Sequence, residues 1–358
     1  MKKRQEKKSY VQRASDRPNI PKTYDVKMVS MQPESGIIDG IKFLDSNRFI
    51  TYLNKREICL WSLSEMKIIG KLKIQTSISN IVINSQLALL LICSKEGYVK
   101  ILSLKTLRQV AMFYIDSLLA ASFSYITTSN HDIKTPIMIA YQEGGSAFVY
   151  NVFQRKLLSK LIPDLNLTAG MMLGKYDCLF GSSQGSFIYW DTKTNTKEVK
   201  PEFKRQYIND MVFIEKPHTI AVSGYVLNQK TLINRMKPTN VAASEILIIN
   251  IKKWECLNTI PIECVINQLM FIDHLRKIGC FDAQGRLRVI DQDKTKNHQE
   301  EIIMIKNQRN DVEELLVSGG IDYHQKGQFF LGVVYYVNDI PLRDSSSITM
   351  VEIKDLNA

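Results

Sequence analysis

The chain has 358 residues, of which 45% are hydrophobic and 23% charged, and its formal net charge is +11. This apolar fraction excludes an intrinsically disordered protein, and the length supports a large core without disulfides or metals. The 6 cysteines stand singly and form no C-x-x-C pair, so we predict no zinc ribbon, no redox motif and no cofactor. The basic start is not followed by an apolar segment, so we predict that the chain is not secreted and does not contact a membrane.

Residues 1–22 contain eight cationic and two acidic side chains and therefore hold a net charge of +6. They lack hydrophobic periodicity and end in Arg17-Pro18-Asn19-Ile20-Pro21, whose prolines oppose regular structure. We expect a flexible basic arm that binds RNA or another polyanion or acts as a nuclear import signal; a merely solvating terminus is the alternative. The candidate arm residues are Lys2, Lys3, Arg4, Lys7, Lys8 and Arg13.

A repeated unit follows in residues 23–358: an apolar strand, a polar turn, a second apolar strand and a lysine-rich turn. In the clearest copies a turn glycine stands five residues before the same strand position. A hairpin turn of this kind requires positive φ, which glycine adopts without a Cβ clash. The four glycines are Gly97, Gly145, Gly185 and Gly285.

Seven copies of the strand after this turn can be aligned, with equivalent positions at residues 61, 102, 150, 190, 249, 290 and 351. Most of these segments are short and rich in β-branched and aromatic residues, and helical periodicity is nearly absent. We therefore predict an all-β fold, a single seven-bladed β-propeller with four strands in each blade. The seventh unit ends after its third strand, at 350–355. We expect residues 24–31 to supply its fourth strand and close the ring.

The stretch Gly185 to Thr194, GSFIYWDTKT, resembles the WD40 repeat, and the segment Ser94 to Arg108 is the next most similar copy. Trp190-Asp191 is the one signature dipeptide, and the glycine-histidine dipeptide that usually opens a WD40 blade is missing. The resemblance covers most of residues 23–358 but is weak in each copy. It implies a non-catalytic scaffold that holds protein partners on its faces.

Two further patterns are similar to catalytic motifs. Gly181 to Gly185 satisfies G-x-S-x-G, but the residues that follow predict a strand, whereas a nucleophile elbow requires a helix. Gly170 to Lys175 has one spacer too few for a phosphate-binding loop, and Tyr176 stands where serine or threonine would bind magnesium. The 5 histidines have no metal-ligand spacing. We predict no enzyme activity and no metal site.

The turns after the third strands contain many cations, and in a propeller all of these turns lie on one face. The arm should leave from the same face, because it leads into a fourth strand. We predict that arm and turns form one polyanion-binding surface, although a merely solvated basic face is the alternative. The candidate turn residues are Lys105, Arg155, Lys156, Lys193, Lys252, Lys253 and Lys294.

Three insertions, at 226–243, 336–346 and 128–136, are expected between second and third strands and so on the opposite face. Leu232, Ile233 and Met236 are candidates for binding a partner, unless this loop packs them against its own blade.

These features predict a scaffold within a multi-subunit complex, in the nucleus or nucleolus and associated with ribonucleoprotein. The alternative is a cytoskeletal or ciliary adaptor in the cytoplasm whose arm contacts acidic tubulin surfaces.

Overall fold

The computed structural model of the chain describes residues 24–31, 38–53, 56–65, 67–84, 87–115, 123–128, 137–142, 145–203, 206–214, 218–225, 244–262, 264–273, 275–282, 286–291, 300–304, 315–324, 329–337 and 345–355. The regular secondary structure in these ranges consists of β-strands, which confirms the predicted all-β class. The described strands form seven four-stranded antiparallel sheets, the blades of a propeller.

Blades 1 to 4 each consist of four consecutive strands in sequence order. Blade 1 contains β2 (Ile38–Phe43), β3 (Arg48–Leu53), β4 (Glu57–Ser62) and β5 (Lys67–Lys73). Blade 2 contains β6 (Ile78–Asn84), β7 (Leu89–Ser94), β8 (Tyr98–Ser103) and β9 (Gln109–Tyr114). Blade 3 contains β10 (Phe123–Thr128), β11 (Ile137–Gln142), β12 (Ala147–Asn151) and β13 (Lys156–Leu161). Blade 4 contains β14 (Leu167–Met172), β15 (Asp177–Ser182), β16 (Phe187–Asp191) and β17 (Thr196–Lys200).

Blades 5 and 6 follow the same order, whereas blade 7 combines the two ends of the described chain. Blade 5 contains β18 (Tyr207–Phe213), β19 (Thr219–Tyr225), β20 (Ser244–Asn250) and β21 (Glu255–Ile262). Blade 6 contains β22 (Ile266–Ile272), β23 (Lys277–Asp282), β24 (Arg286–Ile290) and β25 (Glu300–Met304). Blade 7 contains β26 (Leu315–His324), β27 (Phe329–Val337), β28 (Ser345–Asp355) and β1 (Tyr24–Met31).

The core lies between neighbouring blades rather than within one sheet. Strand β7, LLLICS, is buried along its whole length because a blade covers each of its faces. Leu90 and Ile92 pack with Ile50 of blade 1, whereas Leu91 packs with Phe148 of blade 3. The continuous apolar run of such second strands therefore follows from burial on both faces.

The ring closes as the sequence predicts. Strand β1 pairs antiparallel with β28, in a register from Tyr24 opposite Asp355 to Met31 opposite Ile348. The first strand of blade 1, β2, lies against the first strand of blade 7, β26. The two ends of the chain thus share one blade, and no blade is left without a neighbour in the ring.

A bulge recurs near the start of the first strand in all seven described blades. There one residue of the first strand is skipped in the pairing with the second strand. A bulge bends a strand and increases its twist, which suits the innermost strand of a ring. The skipped residues are Asp39, Ser79, Ser124, Thr168, Asn209, Asn267 and Val317.

Two of the predicted turn glycines have the expected backbone conformation. Gly97 has φ of 84° and Gly185 has φ of 91°, and each stands in the turn between the second and third strands of its blade. Gly285 lies outside the described residues.

One predicted insertion is placed wrongly. Residues 129–136 separate β10 from β11, the first and second strands of blade 3, and not the second from the third. They therefore open on the face of the cationic turns. The error arises because β10, FSYITT, has polar residues in half of its positions and was not recognised as a strand. The insertions at 226–243 and near 336–346 do separate second from third strands.

We expect Gly185→Ala to lower the free energy of unfolding by about 1–2 kcal/mol, because alanine is strained at this positive φ. Gly70→Ala is the matched control, since a Cβ there would meet the Leu60 Cβ at 3.7 Å, an ordinary contact. Its effect should stay within about 0.5 kcal/mol. Urea unfolding measures both, and equal effects would contradict the turn assignment.

Ring closure predicts different outcomes for two truncations. A chain that starts at residue 24 keeps β1 and should retain the thermal unfolding midpoint of the full chain. A chain that starts at residue 34 lacks β1, exposes the edge of β28 and should lose its cooperative transition. Circular dichroism melting compares the two, and unchanged melting of the shorter chain would show that β1 is dispensable.

Candidate polyanion-binding face

Six of the predicted cationic residues lie in or directly after turns between third and fourth strands. These turns belong to blades 2 to 5 and stand at the same end of each blade. All six side chains are exposed: Lys105, Arg155, Lys156, Lys193, Lys252 and Lys253. The structure therefore places them on one face, as predicted; whether this face binds a polyanion stays a prediction.

A side chain at the end of the third strand holds the backbone of several of these turns. The Asp191 carboxylate accepts hydrogen bonds from the backbone N–H groups of Lys193 at 2.8 Å and Thr194 at 3.2 Å. The Asn250 amide oxygen accepts equivalent bonds from Lys252 and Lys253, both at 3.0 Å. Such Asx turns fix the backbone and leave the lysine side chains free to extend into solvent.

The residue four positions after the end of the third strand adopts a left-handed conformation. Leu107, Arg155, Asn195 and Trp254 have φ of 53°, 55°, 57° and 54°. This left-handed conformation reverses the chain within the turn. It is strained for every residue other than glycine, and among these asparagine is strained least. The four turns therefore share one backbone geometry, although their sequences differ.

Charge is not uniform around this face. The turns of blades 2 and 3, at 104–108 and 152–156, contain four cations and no carboxylate: Lys105, Arg108, Arg155 and Lys156. In the described residues none of these four has a carboxylate within ion-pair distance. In blade 4, bonds from the Thr194 hydroxyl and the Lys193 amide hold the pKa of Asp191 below its ordinary value, so the carboxylate stays ionised beside Lys193. In blade 5 Lys253 Nζ lies 3.6 Å from Glu255.

Blade 3 also exposes apolar side chains beside its cations, a feature that the sequence analysis missed. Phe153 is 55% exposed and Leu157 is 40% exposed, on either side of Arg155 and Lys156. The alternation of apolar and cationic residues in Phe153-Gln154-Arg155-Lys156-Leu157 was the available signal.

The remaining predicted contact residues lie outside the described residues: Lys2, Lys3, Arg4, Lys7, Lys8, Arg13, Lys294, Leu232, Ile233 and Met236. The position from which the arm departs is described. Tyr24 stands opposite Asp355, at the end of the third strand of blade 7. Strand β1 therefore begins at the face that carries the cationic turns.

A second polar feature joins blades 5 and 6 at the bulges of their first strands. The Asn209 amide nitrogen donates to the Ile266 carbonyl at 2.6 Å, and Asp210 Oδ2 accepts from the Leu269 N–H at 2.7 Å. The second carboxylate oxygen of Asp210 accepts from the Met211 N–H at 2.8 Å. These bonds link adjacent inner strands that belong to different sheets.

Burial raises the pKa of Asp210 to about 6, although the N–H groups of Leu269 and Met211 and the charge of Lys42 oppose the shift. Lys42 belongs to β2, in blade 1. The pair Asn209-Asp210 lies near the start of β18, the first strand of blade 5. The sequence analysis missed it because the repeat is recognised by its third strands, and no motif marks the first ones.

Blade 6 has a buried network of side chains in place of the missing glycine-histidine pattern. The Asp282 carboxylate is fully buried and accepts from Arg286 Nε at 2.6 Å, Arg288 Nε at 2.9 Å and the Cys264 thiol at 3.2 Å. Burial raises the pKa of Asp282, but the bonds from Arg288 and Arg286 outweigh this and hold it below its ordinary value. The network fastens β23 to β24 and to the segment before β22.

The motifs that are similar to catalytic patterns lie in ordinary strands and turns. Gly181-Ser182-Ser183-Gln184-Gly185 forms the end of β15 and the turn to β16, and Gly170 to Lys175 ends β14. Within the described ranges no group of three His, Cys, Asp or Glu side chains is placed to bind a metal ion. No helix in those ranges has the length and apolar character needed to cross a membrane.

Comparison with known proteins supports the fold. No family model matches the chain, and no curated protein matches it. Among solved structures it is similar to that of U3-55K, with a TM-score of 0.65 and 11% sequence identity, over 90% of this chain and 98% of that chain. At this identity the likeness establishes a shared β-propeller fold.

We expect the stability of the chain to depend on the charge of Asp210. Its native pKa of about 6 lies above the ordinary value of 3.8, so the folded state binds the proton more tightly than the unfolded state. Relative to Asp210→Asn, the wild-type chain should lose up to about 2 kcal/mol as the pH rises from about 4 to 7.

Urea unfolding at several pH values measures this difference, and the asparagine variant keeps an oxygen that accepts the Leu269 N–H. A difference between the two proteins that does not vary with pH would contradict the raised pKa.

Proposed function

We propose that this protein is a non-catalytic β-propeller scaffold that binds RNA through the face of its cationic turns, within a nuclear ribonucleoprotein assembly. The observation that carries the proposal is the pair of neighbouring turns in blades 2 and 3. They hold Lys105, Arg108, Arg155 and Lys156 with no carboxylate between them.

The chemistry of this face suits a phosphate backbone. Cations that neutralise phosphates release condensed counterions, and this release supplies most of the sequence-independent affinity for nucleic acids. Packed blades hold the backbone of these turns in place, so binding of RNA has to order only the cationic side chains. Residues 1–22, with a net charge of +6, precede β1, which begins at the same face, and would add contacts along the RNA strand.

The exposed Phe153 favours a single strand over a duplex. An aromatic ring beside cations offers a platform on which a base can stack, and stacking contributes about 1–3 kcal/mol per base. Phe153 is 55% exposed and lies within three residues of both Arg155 and Lys156. The opposite face, with the loop at 226–243, is left for protein subunits of the assembly.

We expect Lys105→Ala, Arg155→Ala and Lys156→Ala together to weaken binding of a fluorescein-labelled single-stranded RNA of about 20 nucleotides. Fluorescence anisotropy at several salt concentrations gives the slope of log affinity against log salt. Loss of three phosphate contacts should reduce this slope by about 2, at 0.7 per contact.

The matched control is a triple variant with the same loss of charge, Lys71→Ala, Lys73→Ala and Lys95→Ala. These exposed lysines lie on the outer strand of blade 1 and in a turn on the opposite face. Equal slopes for the two triple variants would show that only total charge matters. Displacement of the RNA by an equimolar glutamate-rich tubulin-tail peptide would favour the cytoskeletal alternative.

A further inference from the structure

Among the described strands, the outer strand of each blade pairs on one side only, and natural proteins protect such edges with charged residues or proline. Of the seven described outer strands, six follow this rule. Their protecting residues are Asp25 and Lys27 in β1, Lys67, Lys71 and Lys73 in β5, Lys156 and Lys160 in β13, Lys197, Glu198 and Lys200 in β17, Glu255 and Pro261 in β21, and Glu300 and Glu301 in β25. Strand β9, QVAMFY, contains neither a charge nor a proline.

Strand β9 is also exposed and apolar. Val110, Met112 and Tyr114 are 60%, 42% and 40% exposed, and they alternate with Ala111 and Phe113, which pack toward blade 3. Met112 stands opposite Lys100 in β8. The equivalent positions of blades 1 and 3, opposite Cys59 and Phe148, hold Lys71 and Lys160.

We propose that β9 pairs antiparallel with β9 of a second copy of this chain, about a two-fold axis at Met112. In this register Met112 faces Met112 of the second copy, and Tyr114 faces Val110, which is the bulge residue of β9. The exposed apolar side chains then cover one another, and the free backbone groups of both edges find partners. Strand β9 contains no charged residue, so no two charges of the paired strands face each other.

The same pairing is unfavourable at other outer strands. Two copies of β5 centred on Gly70 would place Lys67 opposite Lys73 of the second copy, on both sides of the axis. Like charges directly opposite each other destabilise a strand pair. The absence of like-charge repulsion between two copies therefore distinguishes β9 from β5.

The contact area is small, so we expect the dimer to be weak. The exposed parts of the three side chains amount to roughly 500 Å² for two copies, below the approximately 1,200 Å² of standard stable interfaces. Each chain also carries a net charge of +11, so the copies repel each other. We expect a weak dimer, with a dissociation constant on the order of 100 μM, that tightens as salt screens the repulsion.

An antiparallel strand pair places the two propellers side by side with their equivalent faces reversed. The cationic turns of the two copies would point in opposite directions. This inference therefore does not depend on the proposed function, because RNA binding at the turns and pairing at β9 use separate residues.

Sedimentation velocity at protein concentrations up to about 300 μM tests the proposal in low and high salt. The wild-type chain should shift toward a dimer, and the shift should increase at high salt, whereas RNA binding weakens with salt. Met112→Lys, which introduces the side chain that blades 1 and 3 already have at this position, should weaken the dimer at least tenfold. Ile69→Lys, at the exposed bulge of β5, should leave it unchanged.

A cross-linking experiment locates the contact. In a Cys256→Ser background, which removes the one exposed cysteine of the described residues, Met112→Cys should form an intermolecular disulfide under mild oxidation. Ile69→Cys in the same background should not. A monomer at all concentrations, a dimer that Met112→Lys leaves intact, or equal cross-linking of the two cysteine variants would overturn the proposal.

Discussion

The fold depends on the pairing of β1 with β28, because a propeller core is continuous only when the ring is closed. Each blade buries both of its faces against neighbours, as the fully buried strand β7 illustrates. An open ring would expose one apolar face at each end and would lose burial at blades 1 and 7 together. Eight consecutive residue pairs, from Tyr24–Asp355 to Met31–Ile348, supply the closure through backbone hydrogen bonds.

The architecture could be read from the sequence because its signals are local and repeated. The turn glycines mark the hairpins before third strands, and positive φ at Gly97 and Gly185 is the physical reason for them. The fourth strand of blade 7 was predictable by counting, since the last unit lacks one strand. The first strands were harder to recognise because their bulges interrupt the alternation of polar and apolar residues. Strand β10 is in addition polar in half of its positions, which is why the insertion after it is predicted on the wrong face.

The candidate site was only partly predictable for a different reason. The cations of the turns at 104–108 and 152–156, and the lack of a carboxylate within them, could be read from the sequence, whereas the exposure of these side chains could not. Asp191 and Lys193 are close in both sequence and space, whereas the hydrogen bond from the Leu269 N–H to Asp210 joins residues in different blades. Exposure is likewise set by packing, since Val110 is exposed at a bulge that the strand pattern does not reveal.

The side chains just before the first strands differ in how well they are hydrogen-bonded. Cys264, two residues before β22, bonds to Asp282 and joins a buried network with two arginines. At the corresponding positions before β6 and β18, the Thr76 hydroxyl and the Gln206 amide nitrogen are buried without a hydrogen-bond partner among the described residues. Unpaired buried polar groups cost stability, so side chains stiffen the blades unequally and the blade-to-blade core has to compensate.

In a ring of near-equivalent units, a departure from the repeat is where function can differ from architecture. Blade 2 departs twice, in a turn with cations and no carboxylate and in an outer strand without charge. Lys71 in blade 1 and Lys160 in blade 3 show that a charged outer edge is compatible with the same blade geometry. The uncharged edge of blade 2 is therefore a departure independent of its turn.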